Sequence, residues 1–230
     1  VSASQDGTVK LWFLLDGSEV RTLRGHIGPV RGIAVMPDGR RLLSAGGDMT
    51  VRVWDLATGA CELTLSGHTA AVNAVTPLPG GARILSASVD RTLRLWELGR
   101  TNEHGTIQRH TSWVTTAAIM PDGQYALSGS HDCTVKVWRL SDGAALRTLR
   151  GHTAGVRAVA VTSDGRMALT ASNDATIRMW EMEHGVEIAT LRGHTAKVTA
   201  VAVLPGNTYA ISASQDKTLR VWNLEQRSTV

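Results

Sequence analysis

The stretch Gly67–Trp96, GHTAAVNAVTPLPGGARILSASVDRTLRLW, holds the local signals that decide the fold. Short runs in which apolar residues alternate with others, Val72–Val75 and Thr92–Trp96, are separated by turn-forming residues such as Pro79–Gly81. A period of two is typical of strands with one buried face, and Pro and Gly favour tight turns between them. A further strand follows each Trp, as in Ala60–Leu65. The sequence therefore predicts four short antiparallel strands per unit of this kind.

The same pattern recurs along the whole chain with a period of 42 residues. The period is marked by Trp12, Trp54, Trp96, Trp138, Trp180 and Trp222. At constant distances before each of these lie a hydroxyl residue, an Asp, a Thr and a basic residue, and a His precedes each one from Trp54 onward. A period of about 40 to 45 residues is typical of the four-stranded blades of a β-propeller. The predicted fold class is therefore an all-β β-propeller.

Length and composition exclude several classes of protein. With 230 residues and 43% hydrophobic side chains, the chain can build a packed core. It contains no run of about 18 to 20 apolar residues, as a membrane helix would need. The two cysteines are too few for a disulfide scaffold and favour a cytoplasmic location. The net charge of +4 is dispersed, so neither a nucleic acid nor a membrane is an expected partner.

Two dipeptides carry a resemblance to a known family. Gly-His pairs precede four of the repeats, at Gly25-His26, Gly67-His68, Gly151-His152 and Gly193-His194. A Trp-Asp dipeptide closes one repeat at Trp54-Asp55. The chain thus resembles the WD-repeat β-propeller family over essentially its whole length. One repeat departs from the pattern, because Arg109-His110 replaces Gly-His and the preceding strand, residues 102–107, is unusually polar. We expect that outer strand to be the least secure.

The resemblance and the period together predict the domain organisation. One propeller domain would cover residues 1–230, with a partial blade at 1–24 and repeats at about 25–66, 67–108, 109–150, 151–192 and 193–230. The chain holds about five and a half periods of 42 residues, fewer than a closed ring of six or seven blades requires. We therefore expect an incomplete ring, part of a longer polypeptide whose propeller has seven blades, the commonest number in this family.

The resemblance also implies one buried polar tetrad of His, hydroxyl residue, Asp and Trp in each repeat. A buried indole must pair its N–H, a hydroxyl can accept that bond and donate onward, and a carboxylate orients an imidazole. The expected structural tetrads are His26, Ser44, Asp48 and Trp54; His68, Ser86, Asp90 and Trp96; His110, Ser128, Asp132 and Trp138; His152, Thr170, Asp174 and Trp180; and His194, Ser212, Asp216 and Trp222.

Two chemical alternatives exist for these tetrads. Ser, His and Asp together suggest acyl transfer. However, the set occurs five times, each time with a Trp where an oxyanion pocket would be needed, which favours a repeated structural motif over five active sites. A metal array is disfavoured because the His and Asp residues recur once per blade, too far apart to share an ion. We expect no catalytic residue, no metal and no cofactor.

Function is then expected where the repeats differ on an exposed face. By resemblance, three positions per blade line a partner-binding rim. The residues proposed from these positions are Trp113, Arg31, Asn73, His131, Arg157, Asn173, Lys197 and Gln215. Trp113 is either a binding hot spot or an indole folded over a seam between blades. Arg31, Arg157 and Lys197 either attract an acidic peptide segment or are ordinary solvated charges.

Three functional classes follow. The leading one is a non-enzymatic scaffold that binds peptides or protein domains on the propeller rim. The alternative is a sensory or autoinhibitory module of a larger signalling NTPase or kinase of bacterial type, because regular repeats of this kind resemble the arrays appended to such enzymes. A stand-alone enzyme is the third class.

Overall fold

The computed structural model describes residues 1–99 and 103–229, and the regular elements in these ranges are all β-strands. They form six antiparallel sheets, the first of three strands and the others of four. The predicted all-β class with four-stranded blades is confirmed, and the incomplete ring stays a prediction. Residues 100–102 of the 67–108 repeat and Val230 of the last repeat lie outside the described residues. The described ranges include no helix with the length and apolarity needed to traverse a bilayer.

The chain divides into two compact units, residues 1–108 and 109–230. The strands of the first unit are β1 (Ser2–Ala3), β2 (Val9–Trp12), β3 (Glu19–Leu23), β4 (Val30–Val35), β5 (Arg41–Gly46), β6 (Thr50–Asp55), β7 (Cys61–Ser66), β8 (Val72–Pro77), β9 (Arg83–Ser88), β10 (Thr92–Glu97) and β11 (Glu103–Gln108).

The strands of the second unit are β12 (Val114–Ile119), β13 (Tyr125–Ser130), β14 (Thr134–Arg139), β15 (Ala145–Arg150), β16 (Val156–Val161), β17 (Met167–Ser172), β18 (Ile177–Glu181), β19 (Val186–Leu191), β20 (Val198–Val203), β21 (Tyr209–Ser214), β22 (Leu219–Asn223) and β23 (Ser228–Thr229). In each unit every sheet is a meander of consecutive strands: β1–β3, β4–β7 and β8–β11 in the first, and β12–β15, β16–β19 and β20–β23 in the second.

The turn between the second and third strand of each four-stranded sheet contains a residue other than glycine with a positive φ. In the β9–β10 turn this residue is Arg91, with φ of 72°. The carboxylate of Asp90 holds the turn closed, because its Oδ1 accepts bonds from the backbone N–H of Thr92 at 2.9 Å and from its hydroxyl at 2.6 Å. The corresponding residues in the other sheets are Met49, Cys133, Ala175 and Lys217. The repeated Asp and Thr therefore stabilise a backbone conformation that side chains other than glycine rarely adopt.

Within each unit, neighbouring sheets pack in one regular way. The face of a sheet that carries the indole covers the aliphatic face of the sheet before it in the chain. In the second unit, Trp222 packs in one core cluster with Ile177 and Met179 of β18, which are fully buried. In the first unit, Trp54 packs likewise with Val9 and Leu23. The apolar core is thus a series of layers between sheets, and each layer needs a sheet on both sides.

The outer strand of the blade that carries Trp96 forms despite its polarity. β11 pairs with β10 from Thr92 opposite Gln108 to Trp96 opposite Glu103, with a bulge before Trp96. Asn102, the first residue of the polar segment singled out in the sequence, lies outside the described residues. The lower stability of this strand stays a prediction.

A steric reason accounts for glycine before most of the repeated histidines. A Cβ at Gly151 would lie 2.4 Å from Nη1 of Arg178, the repeated basic residue of β18. In the repeat that starts with Arg109, the basic residue is instead Lys136, and its ammonium donates to Thr148 Oγ1 at 3.0 Å. A guanidinium thus leaves little room for a side chain opposite it, and the one repeat with Arg109 in place of glycine has a lysine at the basic position.

Candidate protein-binding site

A hydrogen-bonded tetrad lies inside each of the five four-stranded sheets. In the β12–β15 sheet, Trp138 Nε1 donates to Ser128 Oγ at 2.7 Å, and Ser128 Oγ lies 2.7 Å from His110 Nε2. On the other side of the ring, His110 Nδ1 lies 2.8 Å from Asp132 Oδ2. The other sheets repeat this chain of contacts through Ser44, Ser86, Thr170 and Ser212, with distances between 2.6 and 2.9 Å. The structure thus brings together all twenty residues of the expected tetrads.

The direction of each hydrogen bond follows from the carboxylate. Asp132 is an acceptor for the hydroxyl and N–H of Thr134 and the N–H of Thr111, at 2.6 to 3.0 Å, so His110 Nδ1 must donate to it. With that proton on Nδ1, the neutral ring accepts at Nε2 from the hydroxyl of Ser128. The relay therefore runs in one direction, from the indole N–H through the hydroxyl and the imidazole to the carboxylate.

Burial and these hydrogen bonds shift the pKa values of the tetrad acids and of two imidazoles. Burial alone would raise the pKa of Asp132, but the bonds from His110 and Thr134 outweigh it and hold that pKa below its usual range. Burial lowers the pKa of His26 and of His152 and outweighs the opposing effect of their aspartates. In these two tetrads the folded protein therefore favours a neutral imidazole beside an ionised carboxylate.

The tetrads are poorly arranged for nucleophilic chemistry. Ser128 is fully buried. Its oxygen accepts from the indole N–H of Trp138, and its complete burial keeps a substrate carbonyl away from it. A catalytic serine instead needs an exposed oxygen beside oxyanion donors. This geometry supports a structural role.

The second unit brings an aromatic pair to its surface. Trp113, which precedes β12, is 51% exposed. Its ring centroid lies 5.5 Å from that of His131, and the backbone N–H of His131 donates to the Trp113 carbonyl at 2.9 Å. A Cβ at Gly155 would lie 3.2 Å from the His131 ring, so a larger residue there would have to push this ring aside by a few tenths of an ångström. The sequence singled out Trp113 and His131, but it did not indicate their contact or the role of Gly155.

The remaining rim candidates divide between the units. In the first unit, the Arg31 guanidinium donates to Asn73 Oδ1 at 3.0 Å, so Arg31 is tied to the neighbouring sheet. In the second unit, Arg157, Lys197 and Gln215 are exposed and Asn173 is half-buried. Backbone bonds of 2.9 Å join Asn173 to Gly155 and Gln215 to Lys197, in the same way as His131 to Trp113. The turn before each third strand is therefore anchored to the start of the first strand.

A groove between two sheets of the second unit was not predicted from the sequence. It has a volume of about 1240 Å³ and lies between the β12–β15 and β16–β19 sheets, with Met120, Tyr125, Met167, Leu146 and Met182 among its lining residues. Arg147 crosses it and donates to the carbonyl of Met182 at 3.1 Å. Side-chain size at the junction of two sheets determines such a space, and the repeat pattern carries no signal for it.

Three side chains at one end of this groove could approach a metal ion. The ligand atoms of Glu181, Glu183 and His184 lie within 4.8 Å of one another. However, the Glu181 carboxylate already accepts from the backbone N–H and Nδ1 of His184, each at 3.0 Å. The hydrogen bonds within this turn therefore account for the proximity of the three side chains.

The regularly spaced tetrad residues give the chain a sequence pattern that can be compared with known proteins. A family model described as WD domain, G-beta repeat (WD40), matches at residues 17–55, 59–97, 102–139, 143–181 and 185–223. The chain belongs to the WD40 family. Its matched segments cover most of its length, and each includes one Trp-bearing strand of the 42-residue period.

Individual proteins resemble this WD40 chain over about one repeat. A segment of 46 residues is 54% identical to nuclear distribution protein PAC1-2 of Uncinocarpus reesii and 52% identical, over the same length, to nuclear distribution protein PAC1 of Arthroderma otae. A segment of 45 residues is 44% identical to DDB1- and CUL4-associated factor 13 of Dictyostelium discoideum. Each match covers 20% of this chain and 10% of the relative.

Proposed function

We propose that the chain is a non-enzymatic scaffold that binds an acidic segment of a partner protein on the exposed surface of the second unit formed by Trp113, His131, Arg157 and Lys197, here called the Trp113 surface. The observation that carries this proposal is the half-exposed indole of Trp113, held against the His131 ring. The six other tryptophans of the chain are the periodic ones, which belong to the sheets themselves.

Trp113 has the properties of a binding anchor. An indole supplies a large apolar area together with an N–H donor, and such residues dominate the energetics of protein interfaces. The contact with His131 and the backbone bond between the two residues hold the ring in place before a partner arrives. Binding would therefore cost little conformational entropy at this position.

The charge of this surface favours an acidic segment. Arg157 and Lys197 lie on neighbouring sheets, at positions two residues apart in the repeat register, and both are exposed. Exposed cations steer an oppositely charged partner and are weakened by salt. The basic residues of the chain are dispersed over all repeats, which supports a protein partner and not a nucleic acid.

The names of the relatives support the same class of function. The Dictyostelium protein is named as a factor associated with DDB1 and CUL4, which supports a role in binding other proteins. Cys61 and Cys133 are both free, which fits a reducing compartment and supports a cytoplasmic location.

An array of short peptides tests the proposal. We expect the chain to bind Asp- and Glu-rich peptides in preference to neutral or Lys-rich peptides of equal length, and to bind them less tightly at high salt. Trp113→Ala and Arg157→Ala should each weaken this binding about tenfold or more, as loss of an interface anchor does. Tyr209→Ala and Arg192→Ala serve as matched controls, because both residues are exposed and lie outside the Trp113 surface.

Thermal denaturation of each variant distinguishes lost binding from lost folding. Acidic peptides that bind the Trp113→Ala variant as tightly as the parent would show that this surface is not the binding site. Equal binding of acidic and Lys-rich peptides would refute the preferred charge.

A further inference from the structure

The groove between the β12–β15 and β16–β19 sheets lies at the opposite end of the strands from the Trp113 surface. Trp113 directly precedes β12, whereas Met120 directly follows it and lines the groove. Both sheets that bound the groove have four strands, and a further sheet of the same unit follows them in the chain. The groove therefore does not arise from an end of the sequence.

The floor of this groove is apolar and adaptable. Met120, Met167 and Met182 line it, which is half of the six methionines of the chain. Leu146 beside them is 38% exposed. The unbranched methionine side chain adjusts its shape to different neighbours and is common at surfaces that receive apolar side chains. The floor can therefore accept a protruding apolar residue of a partner.

The charged residues around the groove are mainly acidic, although the chain as a whole carries a net charge of +4. Four carboxylates line the groove together with two guanidinium groups: Asp122, Asp164, Glu181 and Glu183, with Arg147 and Arg166. The charge around the groove is thus opposite to that of the chain and to that of the Trp113 surface. It favours a basic partner by charge complementarity.

Local hydrogen bonds keep two of these carboxylates ionised. The Thr162 hydroxyl donates to Asp164 Oδ1 at 2.6 Å, and this bond holds the pKa of Asp164 below its usual range. Burial would raise the pKa of Glu181, but bonds from the backbone N–H groups of His184 and Glu183 outweigh it and lower that pKa. Both groups therefore stay negative in neutral and mildly acidic solution.

The groove already accommodates one arginine of the chain itself. Arg147 of β15 reaches across it and donates to the carbonyl of Met182 at 3.1 Å. Its stem packs closely on the β18–β19 turn, because a Cβ at Gly185 would lie 2.9 Å from Cδ of Arg147. Long basic side chains lay their stems on apolar surface and keep their charged ends at polar groups. The apolar floor and acidic rim of this groove suit such side chains.

We propose that this groove binds a segment of a partner protein in which basic residues flank an apolar residue. The apolar side chain would lie on Met120, Met167 and Leu146, and the basic side chains would reach the carboxylates of Asp164 and Glu183. The site uses no residue of the Trp113 surface and prefers the opposite charge. It is therefore a second binding site, independent of the proposed function.

Fluorescence anisotropy of a labelled ten-residue peptide tests the chemistry of the occupant. The peptide carries two arginines on each side of a central leucine, and glycine and serine elsewhere. We expect it to bind about tenfold more tightly than a peptide with serine in place of the leucine, because the apolar side chain is the anchor. A peptide with glutamates in place of the arginines should not bind the groove. Salt should weaken the binding of the parent peptide.

Two variants with matched controls locate the binding site. Glu183→Lys should weaken binding of the arginine and leucine peptide about fivefold or more, whereas Glu225→Lys, the same change at the equivalent position of the last sheet, should not. Leu146→Gln should weaken it similarly, whereas Val20→Gln, at the equivalent position of the first sheet, should not. All four residues are exposed, so each variant should keep the melting temperature of the parent.

Several results would overturn the proposal. A dissociation constant above about 1 mM for the arginine and leucine peptide would mean that the groove does not bind this class of segment. Equal binding by the parent and Glu183→Lys chains would exclude the acidic rim, and equal binding of the serine peptide would exclude the apolar floor. Trp113→Ala should leave this binding unchanged, and a loss of binding there would assign the peptide to the Trp113 surface. Failure of the chain to bind acidic peptides would refute only the proposed function.

Discussion

At the scale of single residues, the repeated polar side chains work as one connected group. Each Ser or Thr of a tetrad joins an indole to an imidazole, and each Asp accepts from the imidazole, a Thr hydroxyl and backbone N–H groups. A buried polar group without a partner is costly, so removal of one member also destabilises the others. The tetrads could be assigned from the sequence because the residue types and their spacing recur in every repeat.

The loss of stability on replacing a periodic tryptophan should depend on whether a neighbouring sheet covers its indole. Trp138→Ala should lower the free energy of unfolding by about 3 to 5 kcal/mol, because it leaves a cavity and removes the hydrogen bond from the indole to Ser128. Trp12→Ala, the matched change at an indole that is 38% exposed, should cost about 1 kcal/mol. Urea denaturation measures both values. Equal losses would show that burial between sheets is not the main contribution of the indole.

Stability should decrease as the pH falls. For His26 and His152 the pKa is lower in the folded state, so their contribution is complete above the unfolded value of about 6.5 and is lost as the pH falls below it. The tetrad aspartates, whose pKa is also lowered, add a second loss below about pH 4. Urea midpoints measured between pH 8 and 3.5 test this.

The exposed His184 provides a control for that measurement. His184→Gln should leave the decline between pH 7 and 5 unchanged, whereas His152→Gln should make it shallower. A midpoint that is constant or rises from pH 7 to 5 would contradict the assignment of buried neutral imidazoles.

At the scale of elements, a sheet tolerates a different residue at a repeated position when a second residue in the same sheet compensates for it. Arg109 occupies the position of the usual glycine in a sheet whose basic residue is Lys136, whereas Gly151 is paired with Arg178. The sequence showed that Arg109 replaces glycine, but the reason became clear only from the position of the guanidinium. A periodic sequence pattern identifies equivalent positions and does not indicate which residues are in contact.

A pair of substitutions tests this compensation. Gly151→Arg should destabilise the protein by about 1 to 3 kcal/mol, because the new Cβ would meet the Arg178 guanidinium. Arg178→Lys in the same chain should recover much of the loss by reproducing the Arg109 and Lys136 combination. Thermal denaturation of the two single variants and the double variant gives the coupling free energy between positions 151 and 178. Additive effects would mean that the two positions do not interact.

At the scale of the whole molecule, stability is expected to be uneven, because counterpart strands of different sheets differ in burial. β18 and β22 are counterparts in the second unit, yet Ile177 is fully buried and Leu219 is 68% exposed. Segments with few buried contacts open at lower cost than a packed core.

Hydrogen exchange followed by mass spectrometry should reveal this gradient. Peptides from β22 should exchange at least tenfold faster than peptides from β18. In the first unit, β2 should likewise exchange faster than β6, because Trp12 is more exposed than Trp54. Uniform protection of counterpart strands would contradict a core that is built between sheets.

The sequence by itself determined the class of fold, the strands, the turns and the tetrad residues, because these depend on local patterns that recur every 42 residues. Only the tertiary structure decided that Trp113 meets His131 beside Gly155, that Arg31 is bound by Asn73, and that Leu219 is exposed where Ile177 is buried. These contacts join residues 18 to 42 positions apart, and several of them connect one sheet to the next. They depend on side-chain volume and on which surfaces face each other, and a periodic pattern does not specify either of these.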